Sequence, residues 1–197
     1  MVDETAVTDG RVERGSRNRR AVVDALIALT DEGVLQPSVA QVADRAGVSE
    51  RSVFRHFEDM ASLHEVAAQI QMERIAPLFR SVGPDGTLAD RVAALVAGRC
   101  ELLEANAPVR RAARLREPFY PEVRRILDRG RRALRHQLEE TFAPELDRLS
   151  DPVRVEVLAA LDVATSWDTW EVLRHVQRLA EDEATAVVRR TVSCLLA

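Results

Sequence analysis

The sequence predicts an all-α protein of about nine helices. Apolar residues recur every three or four positions along most of the chain, and no stretch keeps the period-2 alternation of a strand. Each interruption of the helical pattern carries a glycine, a proline or a polar capping residue. With 197 residues, of which 46% are hydrophobic, the chain is long enough to bury a core.

The first helix is expected to begin near Ser16. The segment before it, residues 1–15, is polar, and we expect a disordered tail there. Gly33 ends the helix, because glycine after the last periodic residue is the usual helix exit. Its apolar stripe consists of Ala21, Val22, Ala25, Leu26 and Leu29.

Two short helices follow the first one. Ser38 and Gln41 have the spacing of a capping box, so a helix is predicted from Ser38 to about Ala46. Gly47 suits a tight turn, and Ser49 is a second N-cap. Two short helices joined by a glycine turn and packed on a longer helix form a helix-turn-helix.

The remaining helices make up a larger body. A fourth helix is expected from about Asp59 to Pro77, and the stretch SVGPDGT (81–87) is a linker. Further helices are predicted at roughly 88–104, 108–115, 121–142, 152–178 and 182–196. We therefore divide the chain into a tail (1–15), a helix-turn-helix domain (16–62) and a C-terminal helical domain (63–197).

The helix after Ser49 has two different faces. Val53 and Phe57 share the buried side, whereas the opposite side carries Glu50, Arg51, Phe54 and Arg55. Arginine fits guanine, a carboxylate accepts from cytosine, and an apolar group meets the thymine methyl in the major groove. The face therefore favours double-stranded DNA as the partner. Alternatively, Phe54 packs under the larger body and the two arginines are simply solvated.

The block PSVAQVADRAGVSERSVFRHFEDMASL (37–63), with the preceding helix NRRAVVDALIALTDEG, resembles the DNA-binding signature of the TetR family of transcriptional regulators. The resemblance covers about 50 residues and departs from the family at three positions. Phe54 stands where tyrosine is usual, Met60 where lysine is usual, and Arg51 where a small residue is frequent. Two anchors for DNA phosphates are thus missing, and one side chain able to reach a base is added.

The resemblance implies a homodimeric repressor that a small-molecule ligand releases from a palindromic operator. An activator, or a DNA-binding regulator without a ligand, would have the same fold. We expect the exposed face of the helix after Ser49, the recognition helix, to contact the bases. Nearby residues are expected to contact the DNA backbone. The predicted DNA-binding residues are Arg17, Arg20, Ser38, Ser49, Glu50, Arg51, Ser52, Phe54, Arg55 and His56.

Composition and spacing exclude several other classes. Residues 11–57 hold eight arginines and six acids within a chain of net charge −4, so the basic region is local. Cys100 and Cys194 fit no metal or disulfide pattern. No apolar run approaches the ~20 residues of a membrane span. We expect a cytoplasmic protein without membrane contact, cofactor or metal.

A helical enzyme is the remote alternative. His56, His64, His136 and His175 form no helical metal pair, and no phosphate loop or nucleophile with a base is recognisable.

The last two predicted helices provide a surface for dimerisation. Apolar residues run nearly all the way round VEVLAALDVATSWDTWEVL (155–173), so that this helix must be covered on every side. Residues 182–196 add a second apolar surface. The resemblance implies that these helices form a four-helix bundle with those of the partner; alternatively, they serve only the core of the monomer.

The C-terminal domain also offers candidates for a ligand site. Arg99 falls on an apolar stripe, where it needs either an anionic ligand or an internal partner such as Asp162, unless it reaches the surface. Aromatic side chains could line a cavity or belong to the core. The ligand candidates are Arg99, Cys100, Phe119, Tyr120, Asp162, Trp167 and Trp170.

The segment from Arg110 to Arg135 holds ten arginines and three acids. It could contact nucleic acid or a membrane. Because Val123, Ile126 and Leu127 occupy one helical stripe, a solvated arginine face is favoured, with local pairs such as Glu122 with Arg125.

Overall fold

The computed structural model describes residues 4–197, with side chains from Arg14 onward. These residues form ten α-helices and no β-strand, which confirms the predicted fold class. The helices are α1 Glu4–Asp31, α2 Val39–Ala46, α3 Glu50–His56, α4 Met60–Ile75, α5 Leu88–Arg116, α6 Pro121–Thr141, α7 Ala143–Leu146, α8 Asp151–Ala164, α9 Trp167–Glu171 and α10 Glu181–Leu195. A 3₁₀ turn, Ala76–Leu78, follows α4, and a π-helical turn, Val172–Val176, follows α9.

Three boundaries differ from the prediction. Helix α1 begins at Glu4 instead of near Ser16; the acids early in this segment favour a helix N-terminus. The first three residues of the predicted tail lie outside the described residues. Helix α5 continues through Pro108, because the good helix formers on both sides outweigh the one hydrogen bond that a proline removes.

The predicted helix 152–178 is interrupted after Ala164. Ser166 caps the next helix: its hydroxyl oxygen accepts a hydrogen bond from the Thr169 amide at 3.1 Å. The Thr169 hydroxyl donates to the Val163 carbonyl at 2.6 Å, which satisfies part of the end of α8. Serine and threonine thus end one helix and start another within two residues.

The chain divides into two compact units. The first unit comprises Met1–Glu73 with Pro108–Ile126, and the second comprises Arg74–Ala107 with Leu127–Ala197. Each has its own apolar core: the first is built on Val22, Leu26, Val42, Val53 and Leu63, and the second on Leu95, Leu138, Phe142, Leu161 and Trp170. The functional boundary at residue 62 stays a prediction.

Candidate nucleic-acid interface

Local hydrogen bonds fix the start of α2. The Ser38 hydroxyl accepts from the Gln41 amide at 3.2 Å, and the Gln41 side-chain oxygen accepts from the Ser38 amide at 2.9 Å. This is the predicted capping box. At the other end, Gly47 has φ +66° and ψ 33°, a left-handed conformation that glycine adopts without a steric cost.

The turn leads directly into α3. The Ser49 hydroxyl accepts from the Ser52 amide at 3.2 Å, and the Phe57 amide donates to the Val53 carbonyl at 3.0 Å. Val53 and Phe57 are buried in the first core together with Val22 and Leu26 of α1. The helix is therefore held by a cap at each end and by an apolar anchor beneath it.

The outer face of α3 carries the side chains that the sequence predicted. Phe54 is 50% exposed, although it is a large apolar residue. Glu50, Arg51 and Arg55 are exposed beside it. The alternative in which Phe54 packs into the protein is thus not supported, while the contact of this face with DNA stays a prediction.

Ser52 has a different position from the one expected of a backbone contact. It is only 7% exposed, and its hydroxyl oxygen accepts a hydrogen bond from Arg55 Nη2 at 2.9 Å. Ser52 therefore orients Arg55, a role that the sequence pattern did not reveal. Ser38 and Ser49 are exposed, and their hydroxyl hydrogens remain able to donate, because capping uses only the oxygen as acceptor.

Two arginines of α1 were also predicted to contact DNA. Arg17 and Arg20 are exposed, and Arg20 lies 3.8 Å from the Asp24 carboxylate. Arg19, in contrast, places its guanidinium 5.0 Å from the centre of the Phe57 ring. Arg19 thus helps to fix the end of α3 through a cation–π contact.

His56 is partly buried at the end of α3, and its Nε2 atom is buried without a hydrogen-bond partner. Burial, and then the charges of Arg55 and Arg19, lower the pKa of His56. At neutral pH the imidazole is therefore uncharged, so any contact it makes with a phosphate would be a neutral hydrogen bond.

The region that contains α2 and α3 is similar to known proteins. Residues 24–67 fit the model of the bacterial regulatory proteins of the tetR family. One curated relative, the HTH-type transcriptional regulator BetI of Klebsiella pneumoniae (strain 342), is 27% identical over 103 residues, which cover 48% of this chain. The chain spans about half the length of that curated relative.

Solved structures have the same fold over nearly the whole length. A transcriptional regulator from Rhodococcus sp. Rha1 superimposes with a TM-score of 0.69 at 19% identity, covering 92% of this chain and 95% of that one. A tetR-family transcriptional regulator from Streptomyces coelicolor gives 0.69 at 17% identity, with 91% and 80% covered. At these identities the likeness establishes the fold.

The predicted ligand residues belong to two different units. Phe119 and Tyr120 belong to the first unit, and Phe119 is 77% exposed. Trp170 is 1% exposed, and its indole N–H donates to Glu104 Oε2 at 2.7 Å. A side chain so enclosed and already bonded is part of the core of the second unit.

Arg99 is buried with internal partners. Its Nη1 donates to the Thr165 hydroxyl at 3.1 Å, and its Nη2 donates to the Gln137 side-chain oxygen at 2.8 Å and the Leu134 carbonyl at 2.9 Å. Burial lowers the pKa of Arg99 to about 10, which leaves it charged at neutral pH. The partners are neutral groups and not Asp162, whose carboxylate lies 3.5 Å from Arg135.

Cys100 and Trp167 complete the predicted ligand set. Cys100 is 2% exposed, and burial raises the pKa of its thiol to about 11, so the thiol is protonated and unreactive at neutral pH. Trp167 is partly buried against the same core. A ligand role for either residue stays a prediction.

The Arg-rich segment is less uniform than predicted. Arg125 pairs with Glu122 at 2.5 Å and Arg131 with Asp128 at 2.7 Å, both on the surface, as the spacing indicated. Arg110, however, is 7% exposed, and Arg116 is partly buried. Arg116 lies four residues after Ala112 and seven after Val109, so it continues an apolar stripe, and that spacing could have identified it.

A cavity of about 50 Å³ lies inside the first unit. Its walls come from α1, α4, the end of α5 and the start of α6, and its polar side chains are Thr30, His64 and Arg116. None of the predicted ligand residues lines it. Across the described residues no cluster of three or more His, Cys, Asp or Glu side chains is suited to hold a metal ion. None of the described helices is long and apolar enough to span a membrane.

Proposed function

We propose that this protein is a regulator of the TetR family: a homodimeric, DNA-binding transcriptional repressor of the cytoplasm, which a small molecule releases from a palindromic operator. The single observation that carries the proposal is the exposed face of α3. On this face a half-exposed phenylalanine stands between exposed arginines. This combination suits a major groove, where apolar groups and guanidinium groups both find partners.

In this function the bases are contacted by Arg51, Arg55 and Phe54. The Glu50 carboxylate accepts a hydrogen bond from a base. The hydrogen bond from Ser52 restricts Arg55 to one direction before DNA arrives, so less side-chain entropy is lost on binding. Ser38, Ser49 and His56 contact the DNA backbone from α2 and α3, and Arg17 and Arg20 do so from α1. Such contacts position the protein but carry no sequence information.

Exposed apolar residues of the second unit support a dimer through α8 and α10. Val155 and Val163 are 61% and 66% exposed and share one face of α8, eight residues apart. Val187 of α10 is 41% exposed. A partner copy would cover this surface and place two α3 helices on one DNA face, with half-sites about 34–36 Å apart.

Release by a ligand requires that the ligand prefer the form that does not bind DNA. Changing that balance from 1:99 to 99:1 takes about a 10⁴-fold preference. The cavity beside His64 supports a ligand site because it lies among helices of the same unit as α3.

The first test is selection of the purified full-length protein on randomised duplex DNA in moderate salt. We expect enrichment of a palindrome whose half-sites are about one helical turn apart. Enrichment of a single, non-repeated site would contradict the dimer, and the absence of any enriched sequence would contradict DNA binding.

Arg51 provides the test of base recognition. Arg51→Ala should cost about 1–3 kcal/mol on the selected operator and relax one base position, if the guanidinium is bidentate to guanine. Binding would be measured by fluorescence anisotropy on the operator and on its single-base variants. Arg129→Ala, a change on the α6 surface of the Arg-rich segment, is the matched control. An equal loss on all sequences would make Arg51 a phosphate contact.

The dimer is tested at the exposed valines. Val163→Glu should shift the protein to monomer in sedimentation and weaken operator binding, because a buried unpaired carboxylate is unfavourable. Leu115→Glu changes a similarly exposed apolar residue of the first unit and serves as the control. A dimer that survives Val163→Glu would contradict an interface through α8.

A further inference from the structure

The cavity of the first unit combines apolar walls with one cationic side chain. Leu26 and Ile27 of α1, Ala67 of α4 and Ala112 of α5 supply walls, and Arg116 lies at one side. Small side chains at Ala67 and Ala112 leave the space open. A cavity of about 50 Å³ has room for about four water molecules, which is roughly the size of a four- or five-carbon acid.

Arg116 is partly buried and has few hydrogen-bond partners within the described part of the chain. Its hydrogen bond within the described part of the chain runs from Nη1 to the Ala112 carbonyl at 2.9 Å. No carboxylate of the described residues pairs with it, and burial lowers the pKa of Arg116. A guanidinium has five N–H donors, so most of its capacity to bind an anion is left.

His64 stands near Arg116 in the same cavity. Burial, with a contribution from the charge of Arg116, lowers the pKa of His64 to about 4. The imidazole is therefore neutral at pH 7, with one N–H that can donate a hydrogen bond. A neutral donor beside a cation can hold one oxygen of a carboxylate while the guanidinium holds the other.

We propose that this cavity binds a small organic carboxylate with a short apolar tail. The carboxylate pairs with Arg116 and accepts from His64, and the tail lies among Leu26, Ile27, Ala67 and Ala112. The anion supplies the charge partner that Arg116 lacks, and the tail removes apolar wall from water. Its role as the releasing ligand rests on the proposed function, whereas binding itself does not.

Binding at this place would reach α3 through the shared core. Leu26 and Ala67 line the cavity and also belong to the core that buries Val53 and Phe57 beneath α3. A ligand that separates α1 from α4 by even a small amount therefore disturbs the support of the recognition helix. Close-packed cores transmit such changes because they contain little free space.

The test is calorimetric titration of the purified 197-residue chain, without DNA, with isovalerate and with its uncharged isostere isovaleramide. We expect isovalerate to bind at least about tenfold more tightly than the amide. Arg116→Gln should weaken isovalerate binding at least about tenfold and abolish the preference over the amide. Arg114→Gln, an exposed arginine two residues away on α5, should leave both unchanged.

A second variant closes the cavity without changing charge. Ala68→Leu adds a side chain at a lining residue of α4, and we expect it to abolish isovalerate binding while Gln69→Leu, its exposed neighbour, does not. Circular dichroism and the thermal midpoint show whether each variant is folded. Failure of wild type to bind any of butyrate, isovalerate and benzoate would overturn the proposal, as would unchanged binding in Arg116→Gln.

The two proposals fail separately. Carboxylate binding without release of the operator would support the site and contradict release by this ligand. Operator binding by a protein that takes no carboxylate would overturn the site and leave the DNA-binding proposal intact.

Discussion

Each of the two units holds an arginine among apolar helices, but the two are compensated very differently. Arg99 of the second unit donates to Thr165, Gln137 and Leu134 and is 3% exposed. Arg116 of the first unit donates to one backbone carbonyl and borders a cavity. In the first arrangement both terminal nitrogens of the cation are bonded within the fold and only Nε is buried without a partner, whereas the second leaves donors able to bind something else.

The comparison teaches that a buried charge is informative only together with its partners. When a sequence places an arginine on an apolar stripe, it predicts that the buried guanidinium needs hydrogen-bond or charge partners. Whether the fold or a ligand provides the compensation depends on neighbours from other helices. For Arg99 these are Gln137 on α6 and Thr165 after α8.

The largest expected effect separates the two arginines by stability. Arg99→Met should lower the free energy of unfolding by about 3 kcal/mol, because buried acceptors on Thr165, Gln137 and Leu134 lose their donor. Arg116→Met should change it by less than about 1 kcal/mol, since methionine keeps most of the apolar contact of the stem. Urea denaturation measures both free energies of unfolding. Equal losses in the two variants would contradict the difference between Arg99 and Arg116.

The pH dependence of stability tests the burial of His64, which lines the same cavity as Arg116. Its folded pKa, about 4, lies below the ordinary value of 6.5. Between these values the unfolded chain binds a proton that the folded protein does not, so stability falls as pH falls from 6.5 to 4. The loss should be on the order of 2–3 kcal/mol.

His64→Gln removes this contribution, and the variant should lose less stability than wild type over that interval. Denaturation midpoints at pH 7, 5.5 and 4.5 provide the measurement. His136→Gln, at an exposed histidine of α6, is the control and should keep the slope of wild type. Identical slopes in wild type and His64→Gln would show that His64 is not buried as described.

The smallest effect concerns a charge pair in water. Arg45 donates to the Glu32 carboxylate at 2.8 Å, with both side chains well exposed. Because solvent and salt screen such pairs, Arg45→Gln should leave the urea midpoint unchanged within error. A clear shift of the urea midpoint would mean that the exposed Arg45–Glu32 pair stabilises the protein by its hydrogen-bond geometry alone.

The helix-turn-helix could be predicted from sequence because short-range rules determine it. The capping box at Ser38, the left-handed Gly47 and the cap at Ser49 depend on residues within four positions of one another. The exposure of Phe54 also follows from helical spacing, once Val53 and Phe57 are taken as the buried side. Its contact with DNA still rests on the TetR-family likeness and on chemistry.

The cavity could not be predicted in the same way. Its walls come from α1, α4, α5 and α6, which are far apart in the chain. The break between α8 and α9 was missed because the apolar pattern continues across Ser166, which nevertheless caps a new helix. The sequence predicts a new helix from Pro108 because proline usually marks a break between helices, whereas α5 runs through it.

The shortness of α3 has a consequence for how such a protein can be changed. Seven residues cannot hold a helix by themselves in water, so a synthetic peptide of residues 50–56 should not recognise the operator. Its shape is maintained by Val53 and Phe57 from below and by the Ser49 cap, whereas its outward residues have no part in that support. In the proposed function, exchange of the outward residues alone would therefore direct the protein to a new operator without changing its fold.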